Sequence, residues 1–350
     1  MNNGFYKITA RFDILRNNVA TQWTLEAVGD DAPTVTMSAD GAIKMSLSGG
    51  FRHNAAVDYL NDEIKPYLII NGHEYPVGVY MIGTLETQYD EHCAYIDQIE
   101  AYDRALKLKQ KKTETRLHIS AGTKYLDAVG RLLQEAGIRM VLADESSDTI
   151  ATDREDWEIG TEYLAIINAL LSEINFSSIW FDLDGIARLE RYAAPTSANI
   201  DHEYREGCFS IIRNNYTRKV DVFNAPNVFV VTVANPDYED AMTATGVNDS
   251  PLSALSTVSR GRRILATPIK LDNIASQEAL QQYANNLAIK SMLATEQTVF
   301  YTMLNPVHGV GDVVALYNGE LQGIYEETGW MMQLKAGGKM KHTAKKVVLI

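Results

Sequence analysis

The chain is poor in cysteine. It has two in 350 residues, Cys93 and Cys208, which are too isolated to form a zinc-ligand set or a CxxC redox pair. Both are expected to be free thiols in a protein made in a reducing cytoplasm. Long apolar runs are missing too, and the start, MNNGFYKITARFD, has no basic segment followed by a signal-type hydrophobic stretch. A disulfide scaffold, a membrane span and signal-directed secretion are therefore not expected. Basic residues are outnumbered, 32 against 45 acidic, and the net charge of −13 argues against a protein built to grip phosphate backbones. What is present is globular: 46% hydrophobic and 22% charged residues, over a length that suits two or three domains.

Catalytic signatures are equally scarce. There is no GxSxG elbow and no Walker-type glycine-lysine loop. His53, His73 and His92 lack any HxH or HExxH spacing and read as surface or turn histidines. Asp182-Leu183-Asp184-Gly185 has the opening of a calcium loop without its later glutamate, and Asp-Gly is a common hairpin turn. The stretch VHGVGD at 307–312 resembles a phosphate loop, but a strand pattern follows it, so no helix N-terminus is there to receive an anion. No catalytic, cofactor or metal residue is assigned.

Periodicity carries more information. Tyr6, Ile8, Ala10 and Phe12 alternate with Lys7, Thr9 and Arg11, the pattern of a half-buried strand; Ile43, Met45 and Leu47 repeat it. Asn71-Gly72 sits between two apolar runs, as a type I′ hairpin turn requires. The first third is therefore mostly antiparallel sheet. The basic run KLKQKKTETR at 107–116 reads as a solvated link, with a boundary near 113. Beyond it, Tyr125, Leu126, Val129, Leu132 and Leu133 form a helical stripe that stops at Gly137, before a strand. The unit recurs 38 positions later: Thr123, Tyr125, Leu126, Leu132, Leu133 and Glu135 match Thr161, Tyr163, Leu164, Leu170, Leu171 and Glu173. A helix-strand unit written twice predicts a small α/β domain with two helices on one face of a sheet.

From about 193 the pattern is β again, with a polar stretch at 235–259 expected to be an extended loop and a helix near 276–293. The tail returns to strands, with a turn at Asn318-Gly319 and a terminal strand KKVVLI that either fills its own barrel or lies at an edge. The densest arginine cluster, Arg260, Arg262 and Arg263, either holds a partner or solvates a loop end; Tyr67, Tyr80 and Tyr317 are expected in the core or at a seam between copies.

The segments VDYLNDEIKPYLIINGHEYPVGVYMIGTLE, LLSEINFSSIWFDLDGIARLERY, NDSPLSALSTVSRGRR and NPVHGVGDVVAL, in that order over roughly 57 to 340, resemble hub proteins of phage baseplates and related contractile particles. The resemblance implies an α+β, mainly β fold: two tail-tube-like β-barrel domains (1–112 and 193–350) with an inserted small α/β domain (113–192). The last strands are free to return to an earlier barrel. It implies a non-enzymatic virion part, assembled in the host cytoplasm as a homotrimer. The ring would join the tail tube or a distal tail ring to a central spike and surround the tape measure protein and transiently passing DNA, without membrane insertion by this chain. It also implies that any cell-wall hydrolase is a separate chain. An acidic lumen would repel DNA and keep it from sticking. Two other classes compete: a cell-wall enzyme, either a peptidase or a glycosidase using carboxylates from separate strands, and a carbohydrate-binding module using Trp23, Trp157, Trp180 and Trp330, for which core packing is the alternative role.

Overall fold

The computed structural model describes residues 7–28, 32–89, 95–206, 211–220, 225–233, 242–293, 296–319 and 321–347. Cys93, Cys208, His92, Tyr6 and the last residues of the expected terminal strand lie outside them. The alternating N-terminal pattern folds as β1 (Ile8–Arg16), β2 (Val19–Leu25), β3 (Thr34–Ser38), β4 (Met45–Arg52), β5 (Glu63–Ile70), β6 (His73–Pro76), β7 (Tyr80–Tyr89) and β8 (Tyr95–Tyr102). Asn71 and Gly72 adopt φ of 52° and 86°, the left-handed pair of a type I′ turn, and set Ile70 opposite His73. Antiparallel pairing runs β3-β4-β8-β7-β5-β1-β2. Phe12, Ile14, Leu47, Phe51, Ile64 and Leu68 point to one buried core.

The basic run after β8 is not a solvated link. Ala105–Gln110 forms helix α1, whose Ala105 and Leu108 are buried with the unit that follows. Lys107 in the helix and Arg104 just before it share a partner: Glu63 on β5 receives Arg104 Nη2 at 2.6 Å and Lys107 Nζ at 2.8 Å. Burial alone would push the Glu63 carboxyl up; the hydrogen bonds and charges of Arg104 and Lys107 outweigh it and hold the group below its ordinary range.

The duplicated unit comprises α2 (Tyr125–Glu135), β9 (Val141–Ala143), α3 (Tyr163–Glu173), β10 (Trp180–Phe181) and β11 (Ala187–Leu189). Gly137, the expected stop of the first helix, and Asn175, which stands 38 positions later after the second, both have positive φ. The repeat is reciprocal in space: Tyr125 donates to Glu173 and Tyr163 donates to Glu135, each at 2.8 Å. Arg154 also reaches Glu173, at 2.8 and 3.0 Å. The strands form a sheet β10-β11-β9 with β9 parallel to β11.

The remaining strands are β12 (His202–Arg205), β13 (Ile212–Val220), β14 (Val228–Val233), β15 (Met242–Val247), β16 (Ile269–Leu271), β17 (Glu296–Thr302), β18 (Val313–Asn318), β19 (Leu321–Gln333) and β20 (Met340–Lys346). Helices α4 (Thr257–Arg260) and α5 (Gln277–Leu293) lie among them. The polar stretch expected to be a loop thus holds β15 and α4. Strands β15-β14-β16 make a sheet of their own, packed against α5, so the region from 193 onward contains a second α/β layer that the periodicity does not announce. Gly246 on β15 lies so close to α5 that an added Cβ would stand 1.9 Å from the Ala284 carbonyl oxygen.

The two β regions are joined. Strand β19 pairs with β18 through Leu321–Glu326 and with β3 through Gly329–Gln333, while β20 lies along its other side. One sheet therefore runs β13-β17-β20-β19-β3-β4-β8-β7-β5-β1-β2, with β12 on β18. Among the described residues the strand pairings do not close a barrel. An isolated bridge, Ala27 to Phe51, nevertheless brings the chain after β2 back to β4, with Val28 N–H donating to Gly50 at 3.0 Å and Arg52 N–H donating to Glu26 at 2.8 Å. Leu304, Trp330, Met332, Leu334 and Met340 pack into the N-terminal core. No described helix is long and apolar enough to cross a membrane.

Two outcomes follow from these contacts. Because Glu63 titrates lower when folded than its ordinary 4.5, its network stabilises fully above that pH and is lost as pH falls through the folded value. Urea midpoints of the wild type should therefore fall more steeply below pH 4.5 than those of Glu63→Gln; equal slopes would refute the assignment. Gly246→Ala should lower thermal stability by about 3 kcal/mol or more, since backbone meets backbone, and calorimetry measures it directly.

Candidate functional site

The residues singled out from sequence do not converge. Tyr80 is fully buried, its hydroxyl donating to the Val77 carbonyl at 2.6 Å. Tyr67 is half-buried on β5 with the Arg11 guanidinium 4.8 Å from its ring centre, and Tyr317 is half-buried on β18 under Arg205 at 4.2 Å. Arg262 and Arg263 are exposed beyond α4, whereas Arg260 donates to the Ala225 carbonyl at 3.1 Å. Of the tryptophans, Trp330 is core and donates to Gly309 O at 2.8 Å, Trp157 packs against the α/β core beside Arg154, Trp180 is half-buried on β10, and Trp23 is 38% exposed on β2. The end strands of the sheet, among the described residues, carry apolar side chains as well: Val19 on β2 is 67% exposed and Val220 on β13 48%.

Chemistry concentrates elsewhere, in a polar network inside the second β region. Glu327 on β19 is fully buried, and its two oxygens face His308 Nδ1 at 2.6 Å and His342 Nδ1 at 2.5 Å. His308 comes from the loop between β17 and β18, and His342 from β20. The far nitrogens meet hydroxyls: His308 Nε2 lies 2.6 Å from Tyr204, and His342 Nε2 2.8 Å from Thr302. Asn305 donates to the Tyr204 oxygen at 3.1 Å. His202 stacks on His308 with ring centres 3.8 Å apart and reaches Asp312 at 3.0 Å. Burial alone would raise the Glu327 carboxyl, but its two histidine hydrogen bonds keep it below the ordinary range; burial pushes His342 down while Glu327 pulls it up. Thr302, His342 and Glu327 form a hydroxyl-imidazole-carboxylate series, as in nucleophilic enzymes. All three are fully buried.

Beside the network lies a cavity of about 430 Å³, where the α/β unit meets both β regions. Its wall includes Lys44, Glu190, Tyr192, Lys290, Glu326 and Glu327. Burial lowers Lys44 and Lys290 and raises Glu190 and Glu326, so charge of both signs is poorly solvated there. Sequence reasoning missed the network because its members stand at 202, 204, 302, 308, 327 and 342, with no local motif among them. The one local signal is His308 four positions before Asp312, inside the stretch set aside as a phosphate loop.

Glu327→Ala would strand two buried imidazoles and should cost about 3 kcal/mol or more, whereas Tyr204→Phe should cost only about 1 kcal/mol. Denaturant midpoints compare the two; equal, small losses would mean that the network does not hold these strands together.

No family model matches the chain, and no curated protein matches it. Solved structures do. A tail protein from Neisseria meningitidis is 12% identical and superposes with a TM-score of 0.67, over 97% of each chain. The 43 kDa tail protein of prophage MuSo2 from Shewanella oneidensis is 10% identical, with a TM-score of 0.65 over 96% of this chain and 98% of that one. An E. coli component of the type VI secretion system, described as structurally similar to the T4 tail proteins gp27 and gp5, is 9% identical, with a TM-score of 0.55 over 98% of this chain and 77% of that one. Over nearly its whole length, the chain has the mainly β fold of phage tail proteins.

Proposed function

We propose that this chain is a structural hub component of a phage-type tail baseplate. Three copies close into a ring that joins the tail tube, directly or through a distal tail ring, to a central spike. The ring surrounds the channel for DNA and the tape measure protein. The observation that carries this reading is the extent of the likeness: both tail proteins match the chain from end to end, at 97% and 96% coverage, rather than over one module. The type VI component supports extending it to contractile particles.

In this reading residues 1–112 and 193–350 are two tube-type β units around the α/β unit 113–192. The bridge from Ala27 to Phe51 completes the first as a barrel, and β19 and β20 return from the second to pack on it. The open edges β2 and β13 form the seam between copies, because unpaired strand edges are surfaces that another chain can complete. The half-buried Tyr67 and Tyr317 and the exposed Arg262 and Arg263 set its registration. Acidic side chains line the channel, so that a polyanion slides without adhering. The buried hydroxyl of Thr302 favours this structural role over a hydrolytic one. The particle is assembled in the host cytoplasm.

Light scattering and electron microscopy of the purified chain test this. The expected mass is three times the 39.0 kDa of one chain, with images showing a ring whose inner wall is acidic. A monomer at every concentration, or a ring with a basic lumen, overturns it.

A further inference from the structure

The groups that meet at Glu327 are donors of the kinds that bind transition metals: two imidazole nitrogens and a carboxylate. The ligating atoms of His308, Glu327 and His342 lie within 4.8 Å of one another, and all three residues are buried. Their outer contacts fit such a role. The Thr302 hydroxyl has one proton and lies 2.7 Å from the Met303 carbonyl oxygen, which can only accept. With that proton given to Met303, the Thr302 oxygen can accept from His342 Nε2, which holds Nδ1 of the ring against Glu327. A divalent ion bound there would take the place of the proton shared between Nδ1 and the carboxylate. On the other side, the Tyr204 hydroxyl is hydrogen-bonded to His308 Nε2 and its oxygen accepts from the Asn305 amide. Both imidazoles thus have their outer nitrogen anchored by a hydroxyl, an outer-shell contact of the kind that orients metal-bound histidine.

We propose that His308, Glu327 and His342 form a structural site for a divalent first-row transition metal, Zn²⁺ by ligand type. Imidazole nitrogen selects such ions over Ca²⁺ and Mg²⁺, which take oxygen ligands. Neighbouring ligand atoms around zinc stand about 3.4 Å apart, against the 2.6 and 2.5 Å separating the imidazoles from the carboxylate here. Occupation therefore requires the carboxylate to withdraw by less than about 1 Å. Glu327 lines the cavity of about 430 Å³, which supplies both that room and a route for the ion. Asp312, with Oδ2 3.8 Å from His308 Nδ1, stands near a fourth position. His202 belongs to a second group, with His308 and Asp312, whose ligand atoms also lie within 4.8 Å of one another; it is not among the three ligands proposed here, its ring being stacked on His308 at an interplanar angle of 27°. The ion would pin the β17–β18 loop, β19 and β20 together.

The test uses the full chain without an affinity tag. After incubation with Zn²⁺ and desalting, mass spectrometry of the metal should give one zinc per chain. Chelation should lower the melting temperature by several degrees, and Zn²⁺ should restore it. Co²⁺ should give the visible absorption of a low-symmetry nitrogen and oxygen site. His342→Ala should lose the metal and His202→Ala should keep it; should His342→Ala fail to fold, His342→Gln and the wild-type cobalt spectrum decide. Metal no higher than the desalting blank, with no thermal shift from Zn²⁺, Co²⁺ or Ni²⁺, overturns the site. So does binding that survives at His342→Ala and vanishes at His202→Ala, which would place the ion on the more accessible His202 and Asp312 pair.

Discussion

A carboxylate cannot be taken out of water alone, and the structure depends on how that constraint is met at its joints. Glu63, Glu173 and Glu327 are each buried, and each bonds to groups from other segments of the chain. Glu63 ties the first β region to α1 through Arg104 and Lys107. Glu173 ties α3 to α2 through Tyr125, and to the segment between them through Arg154. Glu327 gathers the β17–β18 loop and β20 onto β19. Apolar packing supplies most of the driving force for folding, but it is tolerant of sliding. A buried carboxylate is not, because a shift of one residue leaves its charge without partners.

Much of the local structure was legible in the sequence because it rests on short-range chemistry. Asn71-Gly72 specifies its turn through two left-handed residues. The repeat announces itself through apolar spacing, and the matched Tyr125 and Tyr163, Glu135 and Glu173 turn out to be each other's partners. Helix α1 was hidden for an equally physical reason. Only Ala105 and Leu108 face the core, and lysines around them gave the segment the composition of a link, although Lys107 was already committed to Glu63.

The β14-β15-β16 layer was illegible because close packing there calls for small residues. Strand β15 reads MTATGV, and its Gly246 lets α5 approach to a distance that any side chain would forbid. Glutamines 277 and 281 on α5 bond to the carbonyls of Thr243 and Thr245, so the strand edge is covered by amides from a helix rather than by another strand. Composition sees polar residues and reports a loop. The histidine network was illegible for another reason: its members come from β12, β17, the β17–β18 loop, β19 and β20, brought together by a strand register that one sequence does not contain.

Strand β19 has a mechanical consequence. It is hydrogen-bonded to β18 and β3 on one side and to β20 on the other, and bonds of an antiparallel ladder lie across the strand direction. A pull along β19 therefore shears many bonds at once instead of peeling them singly. Tension arising in one β region reaches the other through a nearly inextensible tie, without first unravelling either.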